Sequence, residues 1–330
     1  MITFHLPGGE TIVPTDLSVC PDLVKRAAWI DLLEPTRPEE LAVEQALGAE
    51  VPTREEMGQL ELSRRLYVER DALFMTANVL THADSSHPES SGITFILAGE
   101  KLVTVRYTDP RAFQMFVAHR RSHPGAHDTA WTVFEGLLDA IVERLADILE
   151  TTGASVESLS LEIFRDFDAG STKAGKQAKR DYNAILRKLG RCSDLVAKSR
   201  ESLVSLGRLT AFFRETLKDD PAALPTMHHF ATLSGDFTSL ADFAAFLSGK
   251  GSFLLDATLG MINNEQNAII KLVSVAALVF GPPTLIASIY GMNFEHMPEL
   301  RWYYGYPLAV GAMVLSAIFP YVFFKRLGWL

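Results

Sequence analysis

Two stretches near the C-terminus, residues 272–294 and 302–324, each run for 23 residues without a charged side chain. A bilayer core of about 30 Å is crossed by roughly 20 helical residues, and core helices of soluble domains rarely stay uncharged for so long. The chain is therefore predicted to end in two membrane-spanning helices. Charge divides the 330 residues accordingly. The last 65 carry four basic residues (Lys271, Arg301, Lys325, Arg326) against two acidic ones (Glu295, Glu299), whereas the first 265 carry 27 basic against 38 acidic. An acidic body thus precedes an almost uncharged tail. The net charge of −9 argues against a nucleic-acid binder. With 48% apolar residues there is ample material for a core. Two cysteines, Cys20 and Cys192, form neither a disulfide framework nor a zinc motif.

Orientation follows from the placement of positive charge. Lys271 precedes the first span and Lys325-Arg326 follow the second, while the connector 295–301 is net acidic. Both ends are expected inside and the connector outside. Tyr290, Trp302, Tyr303, Tyr304 and Tyr306 mark one interface and Trp329 the other. The opening MITFHLPGGE lacks a basic segment followed by an apolar run, so a cytosolic body is expected.

Residues 1–125 read as a mixed α and β domain. Short β-prone runs fall at 2–6, 11–13, 28–33, 66–68, 72–80, 93–97 and 102–107, with helical patterns at 37–47, 53–60 and 110–121 and a polar loop at 83–91. After Pro124-Gly125 the chain reads as long helices over 130–166, 172–217 and 226–290. The expected organisation is a cytosolic α+β domain at 1–125 and a helical region at 126–236. A stalk helix follows at 237–271, then spans at 272–294 and 302–324 joined by an external loop at 295–301, and a tail at 325–330. No proline interrupts the chain between Pro225 and Pro282, so the stalk is expected to run into the first span without a stop.

The first span carries a seam. Asn267, Ser274, Gly281 and Ser288 recur every seventh residue, interleaved with Ile270, Ala277, Thr284 and Gly291; backward, the seam reaches Asn263, Gly260, Asp256 and Phe253. Spacings of three and four place these on one helix face. Except for Ile270 the seam is small or polar through the span. Helix packing in lipid favours such residues, and so does a water-filled path. Asp256 favours the path, since a carboxylate suits a cation better than dry packing. Two spans cannot enclose a pore, so a path requires a ring of copies. Pro282-Pro283 frees carbonyls within the span that need another partner.

At the outer end stands Tyr290-Gly291-Met292-Asn293-Phe294, followed by Met297-Pro298-Glu299-Leu300. This block, with NEQNAIIK before it and a Trp-Leu terminus, resembles the CorA family of magnesium transporters. The resemblance is close over 261–330 and looser in the body, through Trp29-Ile30-Asp31-Leu32. It implies a funnel-shaped homopentamer with a central pore, transporting Mg²⁺ and often Co²⁺ and Ni²⁺. It further implies a selectivity ring at Gly291, Met292 and Asn293, a pore asparagine at Asn267 and an acidic outer loop at Glu295 and Glu299. Zinc movement by the same architecture, and a membrane-anchored sensor or scaffold without a path, are the alternatives. The zinc-moving relatives depart from Gly-Met-Asn at its middle residue, and an anchor has no use for polar residues in register.

In the family's regulatory pattern, cytosolic Mg²⁺ bridges an acid of the α/β domain and an acid of the stalk. The first falls on Glu56, beside Glu55; the second falls on Thr232, which has no carboxylate, and Asp236 lies one turn later. A solvated acidic surface, ordinary in an acidic body, satisfies the same charge pattern, so Mg²⁺ is expected as substrate, with Glu56 and Asp236 as the candidates should it also be a regulatory ligand, and no catalytic cofactor is expected. Other motifs carry less. Gly170 to Gln177 nearly spells a phosphate loop, but Gln177 replaces the required hydroxyl and a helical pattern precedes it, so no nucleotide is expected. His119, His123 and His127 are spaced as helical ligands, but Pro124-Gly125 intervenes. His228 and His229 read as structural. No nucleophile–base arrangement is recognisable, and no enzyme is expected. The partners expected are further copies of the chain, lipid and divalent cations.

Overall fold

The computed structural model describes residues 1–48, 50–59, 61–85, 87–164, 181–220, 223–292, 297–298 and 302–328. These form two compact units, Met1–Leu255 and Asp256–Leu330.

The first unit is built on a seven-stranded sheet: β1 (Ile2–His5), β2 (Thr11–Ile12), β3 (Trp29–Leu33), β4 (Leu66–Glu69), β5 (Ala72–Thr81), β6 (Glu89–Ala98) and β7 (Lys101–Arg106). Its order is β2-β1-β3-β7-β6-β5-β4. Every pairing is antiparallel except β3 with β7, which run parallel with Asp31 opposite Thr104. The central strands are buried on both faces, which explains their near-continuous apolar sequences. Their side chains alternate between two cores. Trp29, Leu73, Met75, Phe95 and Leu102 join the core that includes Phe113, Phe134, Leu203 and Phe230. Ile30, Phe74, Ile96 and Val103 join the other, with Cys20, Leu23, Val43 and Met57.

The helices supply those partners. On the second face lie α1 (Cys20–Arg26), α2 (Arg37–Leu47) and the single turn α3 (Arg54–Met57). Both α2 and α3 begin with a capping box, Thr36 with Glu39 and Thr53 with Glu56, which satisfies backbone donors otherwise left open at a helix start. On the first face lie α4 (Arg111–Ser122), α5 (Ala130–Phe164), α6 (Tyr182–Thr216) and the start of α7 (Leu224–Tyr290). In α5, Val133, Leu137, Ile141, Leu145, Ile148, Leu149, Val156 and Leu159 keep helical spacing and are all buried. In α6, Leu189, Val196, Leu203, Leu206 and Leu209 do the same, with Ile185 rather than Leu186 as the buried first member.

Between β3 and β7 lies a buried polar chain. Trp29 Nε1 donates to Thr104 Oγ1 at 2.9 Å, Thr104 Oγ1 donates to Asp31 Oδ1 at 2.6 Å, and Arg106 Nη2 donates to Asp31 Oδ2 at 2.8 Å. Removing one member of such a buried pair typically costs about 3–5 kcal/mol, because the other charge is left uncompensated.

The second unit contains the C-terminal part of α7 and the helix α8 (Gly305–Arg326). The sequence expectations differ from the structure in four places. The helix expected over 172–217 does not run through Asp181, which caps the start of α6 at Tyr182. Helix α1 was not anticipated, the helix expected at 53–60 is the single turn α3, and the loop expected to reach 91 ends where β6 begins at Glu89.

Candidate functional site

Within the second unit, α7 runs through Pro282 and Pro283 to Tyr290 as one helix. At about 100° per residue its positions divide into two faces. Val275, Val279, Pro282, Ile286 and Tyr290 are buried or half-buried and form one stripe. The seam Asn267, Ile270, Ala277, Gly281, Thr284 and Ser288 lies roughly on the opposite side and is exposed; Ser274 is half-buried at its edge. Asp256 and Asn263, further back on α7, are exposed as well. The polar face is thus left uncovered, together with the apolar flanks at Leu272, Val273, Leu278, Phe280 and Leu285. On α8 the shielded positions are Gly305, Ala309, Ala312, Met313, Ser316, Ala317, Pro320 and Phe324. Small residues predominate there, as close helix approach in lipid requires. That second stripe escaped the reading of the sequence, although its spacing was available.

The seam's chemistry is specific at two positions. Thr284 Oγ1 donates its proton to the Phe280 carbonyl at 2.7 Å, so the hydroxyl oxygen retains lone pairs for an outside donor or cation. Gly291 closes the helix, its N–H bonding to the Ala287 carbonyl at 2.9 Å. A Cβ built on Gly291 would stand 3.1 Å from that same backbone oxygen, a tight contact that a side chain would relieve only by a shift of the backbone there. Met292 follows and is half exposed. Asn293, Glu295 and Glu299, expected at the mouth, lie outside the described residues. Trp302, Tyr303, Tyr304 and Tyr306, just before and at the start of α8, are exposed, and Lys325 and Arg326 occupy its last turn. Ring and charge positions of this kind mark the two boundaries of a bilayer.

The regulatory candidates lie in the first unit. Glu56 is exposed on α3, and its Oε2 accepts from the Thr53 N–H at 2.8 Å and from the Thr53 hydroxyl at 2.9 Å. It therefore caps a helix whatever else it does. Asp236 is exposed on α7. Among the described residues no three His, Cys, Asp or Glu side chains gather in a way that would hold a metal ion. His119 stacks on His123 with centroids 4.4 Å apart, and His127 Nδ1 is engaged with the Thr132 carbonyl at 2.8 Å. His229 Nε2 meets both Asp139 oxygens at 2.9 Å, a bond between α7 and α5. Burial holds the Glu135 carboxyl beside it above the usual range, with His229 opposing and Asp139 adding to that shift. The near phosphate loop at 170–177 lies outside the described residues.

Comparison with known proteins places these features in context. The family described as CorA-like Mg²⁺ transporter protein matches residues 24–326. The magnesium transport protein CorA of Escherichia coli K12 is 35% identical over 306 residues, covering 92% of both chains. That of Haemophilus ducreyi is 33% identical over 312 residues, covering 94% of each. Among solved structures, the CorA magnesium transporter of Methanocaldococcus jannaschii superposes with a TM-score of 0.71 at 17% identity, covering 100% of this chain and 99% of that one.

Proposed function

The chain belongs to the CorA family of Mg²⁺ transporters, and from that premise we propose that it moves Mg²⁺, and with it Co²⁺ and Ni²⁺, inward through a pore formed by five copies. The observation that carries this reading is the exposed polar seam on the face of α7 opposite its shielded stripe. A membrane anchor needs only apolar faces toward lipid; here, beside exposed apolar flanks such as Leu272, Phe280 and Leu285, one uncovered face bears Asn267, Thr284 and Ser288 in register.

The seam lines the path, with Asp256, Asn263, Asn267, Ile270, Ser274, Ala277, Gly281, Thr284 and Ser288 in order from the inner end. Gly291, Met292 and Asn293 form the mouth. Mg²⁺ gives up its water reluctantly and prefers oxygen ligands. A ring of Asn293 side-chain oxygens accepts hydrogen bonds from the ion's water shell. Lacking fixed charge, the ring binds weakly enough to release the ion. Gly291 lets the backbones approach each other there. Glu295 and Glu299 raise the cation concentration outside. Below the mouth, Thr284 offers lone pairs because its proton is committed to Phe280. The membrane potential contributes about 4.6 kcal/mol per 100 mV for a divalent ion moving inward, so no nucleotide hydrolysis is required. Both termini and the first unit lie in the cytosol, and the protein resides in the inner or plasma membrane.

Single cysteines test the face assignment. Those at Ser288 and Thr284 are expected to react with small polar thiol reagents in the assembled protein and to block flux, and those at Val275 and Val279 to stay unmodified. Equal reactivity on both faces would overturn the pore assignment.

A further inference from the structure

A concavity of about 540 Å³ opens in the first unit between β4, β5 and α6. We propose that it binds a phosphate monoester, a small dianion carrying an apolar group. Three guanidinium groups line it, those of Arg65, Arg200 and Arg208, contributed by segments more than a hundred residues apart. Their convergence runs against the acid excess of the body. Arg37, Arg106, Arg111 and Arg144 all have carboxylate partners, whereas none of the three pocket arginines forms an ion pair among the described residues.

The single acid in the wall, Glu201, is tied into the wall itself. Asn78 bridges it to Arg65: the Asn78 side-chain amide donates to Glu201 Oε1, and Arg65 Nη2 donates to Asn78 Oδ1. The Asn78 backbone N–H is itself tied to Ser205 Oγ at 2.9 Å. The bridge fixes the Arg65 head against the wall and leaves the pocket two positive charges in excess. Arg65 Nε is buried and has no hydrogen-bond partner. Burial disfavours the charged form of Arg65, against the pull of Glu201 and with Arg208 acting in the same sense as burial. A dianion in the pocket would favour the charged form of Arg65. Guanidinium forks match phosphate oxygens in pairs, which selects phosphate over a halide. Leu66, Val196, Ala197 and Val204 supply the apolar part of the wall, beside the hydroxyls of Thr76, Ser205 and Ser248, and a volume of this size accepts a small organic molecule. The apolar wall is what distinguishes a monoester from free phosphate.

Calorimetric titration of the detergent-solubilised full chain, at constant ionic strength and without Mg²⁺, tests this. Phenyl phosphate and inorganic phosphate serve as probes and sodium sulfate as the control. One phenyl phosphate is expected to bind per chain, more tightly than inorganic phosphate or sulfate. Arg200 and Arg208 are exposed, so the pair Arg200→Gln with Arg208→Gln should fold and weaken binding about tenfold or more. Unchanged binding in that variant would overturn the site, as would no saturable binding in the wild type, the result expected if an acidic side chain of another subunit fills the pocket. Inorganic phosphate binding as tightly as phenyl phosphate would overturn the monoester and assign the pocket to the free ion.

Discussion

His5 shows how one buried residue couples stability to pH. Its ring stacks on Trp29 with centroids 3.9 Å apart. Burial lowers its pKa to about 4, against the pull of Asp31 and with Arg120, Arg121 and Arg106 acting in the same direction as burial. The unfolded chain, with an ordinary histidine near 6.5, binds the proton more readily. The stabilisation from neutral His5 is therefore complete above pH 6.5 and is lost as pH falls through 6.5 toward 4, an effect of about 3 kcal/mol. Melting of the first unit followed against pH should show this slope, and His5→Phe, which keeps the stack, should flatten it. An identical slope in both proteins would contradict the assignment. None of this was legible in the sequence. Trp29-Ile30-Asp31-Leu32 was visible as a motif, but Asp31 meets Arg106 only because β3 pairs in parallel with β7, a contact across 75 residues. The arginines around Asn78 were hidden for the same reason. The seam of α7, in contrast, is a local repeat on one helix, and spacing alone exposes it.

Elements were legible where burial imposes a period. All seven strands were readable because their apolar runs are short and bounded by turns, and α5 and α6 because their stripes persist over many turns. Helix α1 was missed because seven residues opening at Cys20-Pro21 give too few turns to establish a period. Helix α3 matters beyond its length. Thr53-x-x-Glu56 is a capping box, and the same Glu56 is the candidate acid for a regulatory Mg²⁺ shared with Asp236 of a neighbouring copy. Replacing Glu56 by alanine would confuse the two roles, since loss of a cap costs about 1 kcal/mol by itself. Glutamine retains the cap and removes the charge. With Glu56→Gln and Asp236→Asn together, millimolar Mg²⁺ is expected to stop protecting the first unit from protease, while the melting point without Mg²⁺ stays near that of the wild type. Full Mg²⁺ protection in the double variant would place any sensing site elsewhere.

For the whole molecule, the sequence's division of charge is also its division of labour: an acidic sheet-and-helix unit and an apolar two-helix unit, joined by the continuous α7. The exposed apolar side chains of the second unit, among them Leu272, Phe280, Leu285, Leu315 and Phe319, are anomalous in water and ordinary in lipid. Family membership rests on both units, since the match extends over residues 24–326. The central claim is that Mg²⁺ passes through this protein under its own gradient, with Asn293 at the entrance. It is tested most directly by reconstituting the purified chain in liposomes that contain a Mg²⁺-sensitive dye, imposing an inside-negative potential and adding Mg²⁺ outside. The wild type is predicted to admit Mg²⁺ without nucleotide, and Asn293→Ala, assembled to the same extent, to lose most of that influx. Influx no greater than in protein-free liposomes, or an Asn293→Ala rate within about twofold of wild type, would contradict the account.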